Sequence, residues 1–226
     1  MKAIIDKLPL VGSLRRSLRK SQRKTTRPFD SSGNYWEQRY EAGGNSGDGS
    51  YDLLAQFKAE LLNEFVAEHQ VKSLIEYGCG DGNQLKLARY PSYLGFDVSA
   101  TAVDLCRNQF ESDGTKSFYH MNEYAGQQAE LTLSLDVVYH LVEDEVFDDY
   151  MKRLFDSASR FVIVYASNTD ENPDPRPPHV RHRHFTRWVD QFQPDWQLLK
   201  HVPNRHPYSA ATRTGSFADF YLFSKR

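Results

Sequence analysis

The chain has 226 residues, of which 39% are hydrophobic, 26% charged and 13% aromatic, a composition typical of a folded globular protein. It excludes collagen-like and intrinsically disordered proteins, and two cysteines are too few for a disulfide-stabilised scaffold. The formal net charge is −2, and no hydrophobic run reaches the roughly 20 residues of a membrane-spanning helix. The low cysteine content favours the reducing environment of the cytoplasm.

Residues 1–27 form a basic arm. They contain nine basic side chains and one acidic side chain, whereas residues 28–226 contain 19 basic and 29 acidic side chains. In the arm, hydrophobic residues recur at steps of three or four, which predicts an amphipathic helix with one cationic face. Such a helix favours peripheral contact with an anionic membrane at its inner face. The alternatives are a disordered tail, a helix docked on the acidic body, and contact with RNA.

Residues 28–226 are predicted to form one domain. Because this domain has an excess of acidic side chains, nucleic acid is not an expected partner. Residues 28–50 are rich in Gly, Ser and Asn, which predicts a loop that contains one aromatic and basic motif at residues 35–40.

Strands and helices alternate after this loop. Hydrophobic periodicity predicts, in chain order, a helix over 54–65, a strand over 73–77, a helix over 83–89, a strand over 93–96, a helix over 99–110, strands over 117–121 and 131–135, a helix over 145–155 and a strand over 161–166. A proline-rich loop then leads to a helix over 185–192 and two closing strands over 196–202 and 216–223. This alternation is the pattern of a mostly parallel sheet with helices on both faces.

Three glycines follow the first predicted strand, in the sequence Glu76-Tyr77-Gly78-Cys79-Gly80-Asp81-Gly82. Glycines at this spacing allow the backbone to pass close to a ligand, and the helix predicted next would present unpaired N–H groups. Asp97 ends the following strand, where its carboxylate can accept both hydroxyl groups of a bound ribose. The loop and the carboxylate together predict a cofactor that contains a nucleoside.

The glycine spacing and the nearby charges distinguish between two classes of cofactor. A dinucleotide-binding loop has its third glycine three residues after the second, but Asn83 occupies that position here. Glu76 and Asp81 would repel a pyrophosphate, whereas they would attract a cofactor that carries a sulfonium and an ammonium group. These features disfavour NAD, and a purely structural glycine turn is the alternative.

The spacing E-x-G-x-G-x-G resembles the first motif of the class I S-adenosylmethionine-dependent methyltransferases. The stretches SLIEYGCGDGNQL, SLDVVYHLVEDEVF and HVRHRHFTRWV also resemble bacterial methyltransferases of surface-polysaccharide and related glycan biosynthesis. The resemblance covers residues 35–225. It implies an α/β fold with a Rossmann-like, doubly wound sheet of seven strands in the order 3-2-1-4-5-7-6, the last strand antiparallel and helices on both faces.

The resemblance also implies roles for individual residues at the cofactor. Glu76 would lie near the methionine ammonium, Val98 would pack on adenine, and Asn122 would lie near the adenine amino group. Arg39, in a motif similar to the Y-W-x-x-R-Y lid of some methyltransferases, would pair with the cofactor carboxylate. For the aromatic residues of this motif, packing on the core is the alternative. The expected cofactor-binding residues are Tyr35, Trp36, Arg39, Glu76, Gly78, Gly80, Gly82, Asp97, Val98, Asn122, Leu135 and Asp136.

His140 is the candidate catalytic residue. It follows the strand over 131–135 at the edge where an acceptor would meet the cofactor, and an imidazole can take the proton of an acceptor hydroxyl. A substrate-orienting role and a purely structural histidine are the alternatives. The basic loop 179–184 favours an anionic or hydroxyl-rich acceptor, and a merely solvated loop is the alternative. The expected substrate-binding residues are Tyr139, His179, Arg181 and His182.

The expected function is transfer of a methyl group to an oxygen of a sugar or glycan-type small molecule. Methylation of a natural product or of a nitrogen acceptor is the alternative among enzymes, and a non-catalytic cofactor-binding scaffold is the alternative from another class. No metal is expected. A magnesium site of the catechol-methyltransferase type would use Asp136 with Asn168 or Asp170, and the histidines of loop 179–184 have no partner cysteines for zinc.

Overall fold

The computed structural model describes residues 28–226, and the arm predicted for residues 1–27 lies outside the described residues. The strands of the sheet span Leu74–Tyr77 (β1), Tyr93–Asp97 (β2), Lys116–His120 (β3), Ala129–Leu135 (β4), Ala158–Ala166 (β5), Trp196–Val202 (β6) and Asp219–Lys225 (β7). They form one seven-stranded sheet in the order β3-β2-β1-β4-β5-β7-β6. Strands β1 to β5 pair in parallel, and β7 is antiparallel to both β5 and β6. The predicted strand order and the antiparallel last strand are confirmed.

Helices cover both faces of the sheet. The α-helices of residues 28–226 span Ser32–Glu41 (α1), Asp52–Glu68 (α2), Ala100–Gln109 (α3), Asp144–Asp156 (α4) and Phe185–Phe192 (α5). Neighbouring positions of β7 alternate between the two faces. Phe220 packs against Phe57 of α2 with ring centroids 5.6 Å apart, and on the opposite face Phe223 packs against Phe155 of α4 at 5.4 Å. The layered arrangement predicted from the alternation of elements is confirmed.

The central strands direct the chain to one edge of the sheet. All four residues of β1 are buried, and after Tyr77 the chain enters the glycine loop. β2 ends at Asp97, and Ser99 then caps α3 by accepting a hydrogen bond from the N–H of Ala102 at 3.0 Å. Because parallel strands share one direction, the segments that follow β1, β2 and β4 meet at their carboxyl ends.

The expectation of a loop over residues 28–50 is wrong in part, because α1 occupies Ser32–Glu41. The hydroxyl of Ser31 caps this helix by accepting a hydrogen bond from the N–H of Asn34 at 3.3 Å. Ser32 donates its N–H and its hydroxyl to the carboxylate of Glu143, at 2.9 and 2.6 Å. Glu143 lies 111 residues after Ser32 in the sequence, so local composition did not predict the helix.

Two further expectations are corrected. The helix predicted over 83–89 is a 3₁₀ turn over Gln84–Leu87, because the backbone is already extended at Ala88, with φ −83° and ψ 144°. The last strand begins at Asp219 instead of residue 216, since Ser216 pairs with Pro207 in an isolated bridge. Within residues 28–226, no helix is long and apolar enough to cross a membrane.

Candidate active site

A cavity of about 300 Å³ lies at the carboxyl ends of β1, β2 and β4, beneath the segment 28–51, which we call the N-terminal cover. Strands β1 and β4 are neighbours whose connections run to opposite sides of the sheet, and ligands of open parallel sheets bind at such a crevice. The predicted site residues that line the cavity are Trp36, Glu76, Gly78, Gly80, Asp97, Val98, Leu135, Asp136 and His140. The fold therefore brings the candidate catalytic residue together with most of the predicted cofactor-binding residues.

The glycine loop after β1 approaches its neighbours more closely than side chains would permit. Gly78 and Gly80 have φ angles of 85° and 57°, in the left-handed region that favours glycine. A Cβ atom at Gly78 would overlap Cγ2 of Val137, and one at Gly80 would lie 2.9 Å from the hydroxyl oxygen of Tyr40. Gly82 packs against α3 and does not line the cavity. The backbone of the first two glycines therefore forms a wall of the cavity.

Asp97 lies at the end of β2 and is 6% exposed. Its carboxylate accepts hydrogen bonds from the backbone N–H groups of Gly80 and Ser99, both at 2.9 Å. Burial raises the pKa of this carboxyl group, and the backbone hydrogen bonds partly offset that rise. The two bonds fix the carboxylate between the glycine loop and α3, at the wall of the cavity.

Glu76 is a second buried carboxylate at the cavity. The hydroxyl of Tyr93 donates a hydrogen bond to its Oε2 at 2.7 Å. Burial raises the pKa of Glu76 to about 7, although the hydrogen bond from Tyr93 opposes the shift. A cation that enters the cavity would therefore favour the ionised form of Glu76 and bind more tightly as that form becomes populated.

Asp136, which follows β4, forms a buried ion pair. Lys58 of α2 has a fully buried side chain, and its Nζ lies 2.6 Å from Oδ2 of Asp136. The hydroxyl of Tyr139 donates to Oδ1 of the same carboxylate at 2.8 Å. Asp136 also has a φ angle of 61°, a conformation that is uncommon outside glycine. The protein thus bonds both oxygens of this carboxylate.

His140 lies at the end of the 3₁₀ turn Val138–His140. Its Nδ1 lies 2.9 Å from the carbonyl oxygen of His179, and because a carbonyl only accepts, Nδ1 carries the proton and Nε2 keeps its lone pair. Burial lowers the pKa of His140 to about 4, although the bond to His179 opposes the shift. The imidazole is therefore neutral at pH 7 and can accept a proton at Nε2, but it is a weaker base than an exposed histidine.

Three other predicted cofactor residues lie outside the cavity lining. Tyr35 stacks on His179 with ring centroids 4.2 Å apart, and Nε of Arg39 donates to a backbone carbonyl of the N-terminal cover at 2.6 Å. Asn122 is exposed in the turn after β3, where its neighbour Met121 lines the cavity. The structure therefore does not place the arginine or the amide in the cavity wall.

The predicted substrate-binding residues do not line the cavity, although Tyr139 and His179 contact His140. Arg181 donates to a backbone carbonyl before α4 at 2.9 Å and forms an ion pair with Asp144 at 2.9 Å. Nδ1 of His182 lies 2.7 Å from the hydroxyl of Ser167, directly after β5. These contacts hold the basic loop 179–184 against the start of α4 and the end of β5.

The magnesium alternative lacks a matching set of donors. In the part of the chain that the structure describes, no group of three or more His, Cys, Asp or Glu side chains is placed to hold a metal ion. The carboxylate of Asp136 is bonded to Lys58, while Asn168 and Asp170 are bonded to the segment 184–187. A metal ion at Asp136 would have to displace the lysine ammonium.

Acidic side chains of the domain hold the N-terminal cover in place. Asp81 accepts hydrogen bonds from the N–H of Ser46 at 2.9 Å and from the hydroxyl of Tyr51 at 2.8 Å. Burial acts to raise the pKa of Asp81, but its hydrogen bonds outweigh burial and the net shift is downward. Glu143 holds the other end of the cover through Ser32. The cover is thus bonded on two sides of the cavity.

The fold is similar to those of solved methyltransferases. N-methyltransferase NodS from Bradyrhizobium japonicum WM9, in complex with S-adenosyl-L-homocysteine, is 14% identical, with 87% of this chain and 99% of that chain covered and a TM-score of 0.64. Magnesium protoporphyrin IX methyltransferase (ChlM) from Synechocystis PCC 6803, with bound SAM, is 12% identical, with 89% and 100% covered and a TM-score of 0.60. An S-adenosylmethionine-dependent methyltransferase from Clostridium acetobutylicum ATCC 824 is 13% identical, with 85% and 96% covered and a TM-score of 0.56. No protein-family model and no curated protein sequence matches the chain.

The chain has the class I methyltransferase fold. Within this methyltransferase fold, sequence reasoning missed Lys58, Gln84 and Met121 as residues of the cavity. Lys58 had a recognisable signal, because it lies four residues from both Leu54 and Leu62 on the buried face of α2. A charged residue on such a face indicates a buried partner.

Proposed function

We propose that the protein is an S-adenosyl-L-methionine-dependent methyltransferase that methylates an oxygen of a sugar or glycan-type small molecule. The observation that carries this proposal is one cavity lined by the glycine loop, by the buried carboxylates of Glu76 and Asp97, and by His140. Groups suited to a nucleoside cofactor and a group suited to accept a proton therefore share one space beneath the N-terminal cover.

The chemistry of the lining fits S-adenosyl-L-methionine. Gly78 and Gly80 leave a backbone cradle that Cβ atoms would fill, and Asp97 offers oxygen acceptors to ribose hydroxyls. Val98 and Met121 offer apolar surface to adenine. Buried carboxylates attract a sulfonium and an ammonium group, whereas they would repel the pyrophosphate of NAD.

When bound, S-adenosyl-L-methionine supplies an electrophilic methyl group. Gly78, Gly80 and Asp97 would hold the cofactor, which would give its methyl group to the acceptor oxygen and keep the electron pair of the carbon–sulfur bond. Nε2 of His140 would take the proton that the acceptor hydroxyl loses. The hydroxyl becomes much more acidic as its oxygen donates electrons to carbon, so a base with a pKa of about 4 suffices once that bond is forming. The N-terminal cover excludes water and keeps the reactants close together.

The presence of a base at the cavity supports methylation of an oxygen, because a hydroxyl group must lose its proton during methyl transfer. An amine with a free lone pair can attack the methyl group before it loses a proton. Loop 179–184 reaches His140 through the carbonyl oxygen of His179, and its basic composition favours an anionic or hydroxyl-rich acceptor. Nitrogen or natural-product methylation is the alternative for the same cofactor site, and NodS is an N-methyltransferase. A scaffold without turnover is the alternative from another class, and any methyl transfer to an acceptor would exclude it.

The protein is expected to bind S-adenosyl-L-methionine and not NAD. Replacing Asp97 by Ala should weaken S-adenosyl-L-methionine binding by at least about 1.5 kcal/mol, because hydrogen bonds to a charged group are lost. Titration calorimetry with both cofactors measures the selectivity and the loss.

Asp104→Ala is the matched control, because Asp104 lies on α3 with a side chain that is 70% exposed. This control should keep the affinity of the unsubstituted protein. Preferential binding of NAD would overturn the cofactor assignment. Equal losses of cofactor affinity in Asp97→Ala and Asp104→Ala would show that Asp97 does not bind the cofactor.

We further propose that residues 1–27 contact anionic membranes, since nine basic side chains and a hydrophobic stripe coexist there. Deleting residues 1–27 should leave cofactor affinity unchanged, because the described cavity is built from later residues. The deletion should also abolish flotation with phosphatidylserine vesicles, which in the full chain should weaken as salt is raised. Phosphatidylcholine vesicles are the control, and a full chain that never floats with anionic vesicles at low salt would contradict the proposal.

A further inference from the structure

Lys58 is a buried cation with unused hydrogen-bonding capacity. Its ammonium can donate three hydrogen bonds, and the structure shows one, to Asp136 at 2.6 Å. The ammonium also lies 5.2 Å from the ring centroid of Tyr165. Lys58 is one of the residues that line the cavity, so its remaining donors belong to the cavity wall.

Gln84 carries a buried acceptor with no partner. Its Nε2 donates to the backbone carbonyl of Ala55 at 3.0 Å, and because a carbonyl only accepts, this contact fixes which end of the amide is the oxygen. Oε1 of Gln84 is buried without a hydrogen-bond partner, the single such side-chain atom found in residues 28–226. A buried polar atom of this kind costs stability unless a ligand or water satisfies it.

Gln84 is bonded to the part of α2 that carries Lys58. Gln84 bonds to Ala55, which precedes Lys58 by three residues on α2 and so lies on the same side of the helix. Both residues line the cavity that also contains Glu76. A cationic donor and an unsatisfied neutral acceptor in the lining of one cavity are complementary to a ligand that presents a carboxylate and an ammonium group on one carbon.

We infer that Lys58 and Gln84 recognise the α-amino-acid end of the cofactor, with Lys58 donating to its carboxylate and Oε1 of Gln84 accepting from its ammonium. The inference rests on the proposed function. The inference assigns the cofactor carboxylate to Lys58 instead of Arg39. The guanidinium of Arg39 is bonded within the N-terminal cover and does not line the cavity. Lys58 would thus bridge the carboxylate of Asp136 and that of the ligand.

The experiment compares two ligands by titration calorimetry. S-adenosyl-L-homocysteine has the amino-acid end, and 5′-methylthioadenosine has the nucleoside and the sulfur without it. Lys58→Met and Gln84→Leu should each raise the Kd for S-adenosyl-L-homocysteine about tenfold or more, the effect of losing a hydrogen bond to a charged group. The Kd for 5′-methylthioadenosine should stay within about twofold, because that ligand lacks the groups these residues contact.

Lys86→Met is the matched control, since Lys86 is exposed on the same 3₁₀ turn as Gln84 and should change neither Kd. Lys58→Met leaves the Asp136 carboxylate buried without its cation, and this variant could fail to fold for that reason. The double variant Lys58→Met/Asp136→Asn removes the unpaired charge, and its reference is Asp136→Asn alone. The same selective loss in that comparison would support the inference.

Equal losses for both ligands would assign Lys58 and Gln84 a structural role and overturn the inference. Unchanged binding of S-adenosyl-L-homocysteine would also overturn it, as would a selective loss in Arg39→Gln that is absent from Lys58→Met. An unsubstituted protein that binds neither ligand would instead refute the proposed function itself.

Discussion

Replacing His140 by Ala is expected to lower kcat about 10²- to 10⁴-fold, the usual range for a positioned proton-transfer group. Cofactor affinity should stay close to that of the unsubstituted protein, because His140 contacts His179 and neighbouring aromatic rings and not the glycine loop. Steady-state turnover with a sugar acceptor that the unsubstituted protein methylates measures kcat, and calorimetry measures affinity.

The pH dependence of kcat provides a second measurement on the same residue. A protonated imidazole cannot take the proton of the substrate hydroxyl. The kcat should therefore be constant above about pH 5 and fall as the pH drops through about 4. His140→Gln should lose this acidic limb. Saturating cofactor separates this effect from protonation of Glu76, whose pKa of about 7 influences binding.

His201→Ala is the control for these measurements, because His201 lies on the edge strand β6 with a side chain that is 41% exposed. It should have normal kcat. Near-normal turnover in His140→Ala would refute the assignment of the base. Strong inhibition by a chelator, reversed by magnesium, would instead make Asp136 a metal ligand.

Replacing Gly78 by Ala is expected to damage both the fold and the cofactor site. The φ angle of 85° is unfavourable for alanine, which costs about 1–3 kcal/mol, and the overlap of its Cβ with Val137 costs about 1–3 kcal/mol more. Urea unfolding should therefore show a lower free energy of unfolding. Any folded fraction should bind S-adenosyl-L-methionine at least about tenfold more weakly, because the cradle is filled or displaced.

Gly114→Ala is the matched glycine control, since a Cβ at Gly114 would meet nothing within 4 Å. It should leave both quantities close to those of the unsubstituted protein. A Gly78→Ala protein with normal stability and normal affinity would contradict the close approach of the loop to Val137.

The sequence predicted those parts of the site that depend on local pattern. A buried strand followed by closely spaced glycines, and an acidic residue at the end of the next strand, led to Gly78, Gly80 and Asp97 in one cavity wall. The alternation of strands and helices predicted a mostly parallel sheet, and the strand order, which the resemblance to class I methyltransferases implied, is confirmed.

The missed features depend on contacts that are distant in sequence. The helix α1 is fixed by Glu143, more than 100 residues later, so the polar composition of its segment was misleading. The side chain of Lys58 is buried because its charge is neutralised by Asp136, which lies 78 residues later in the sequence. The low pKa of His140 follows from burial in the folded protein, which one sequence does not reveal.

The bonds between Asp81 and the N-terminal cover bear on how quickly the protein completes a cycle. The N–H of Ser46 and the hydroxyl of Tyr51 must leave this carboxylate before the segment can move away from the cavity. Each hydrogen bond to a charged group contributes about 1.5–3 kcal/mol, which slows the exchange of anything held beneath it. Departure of the spent cofactor would then be slowed, and accumulated S-adenosyl-L-homocysteine would act as a long-lived inhibitor.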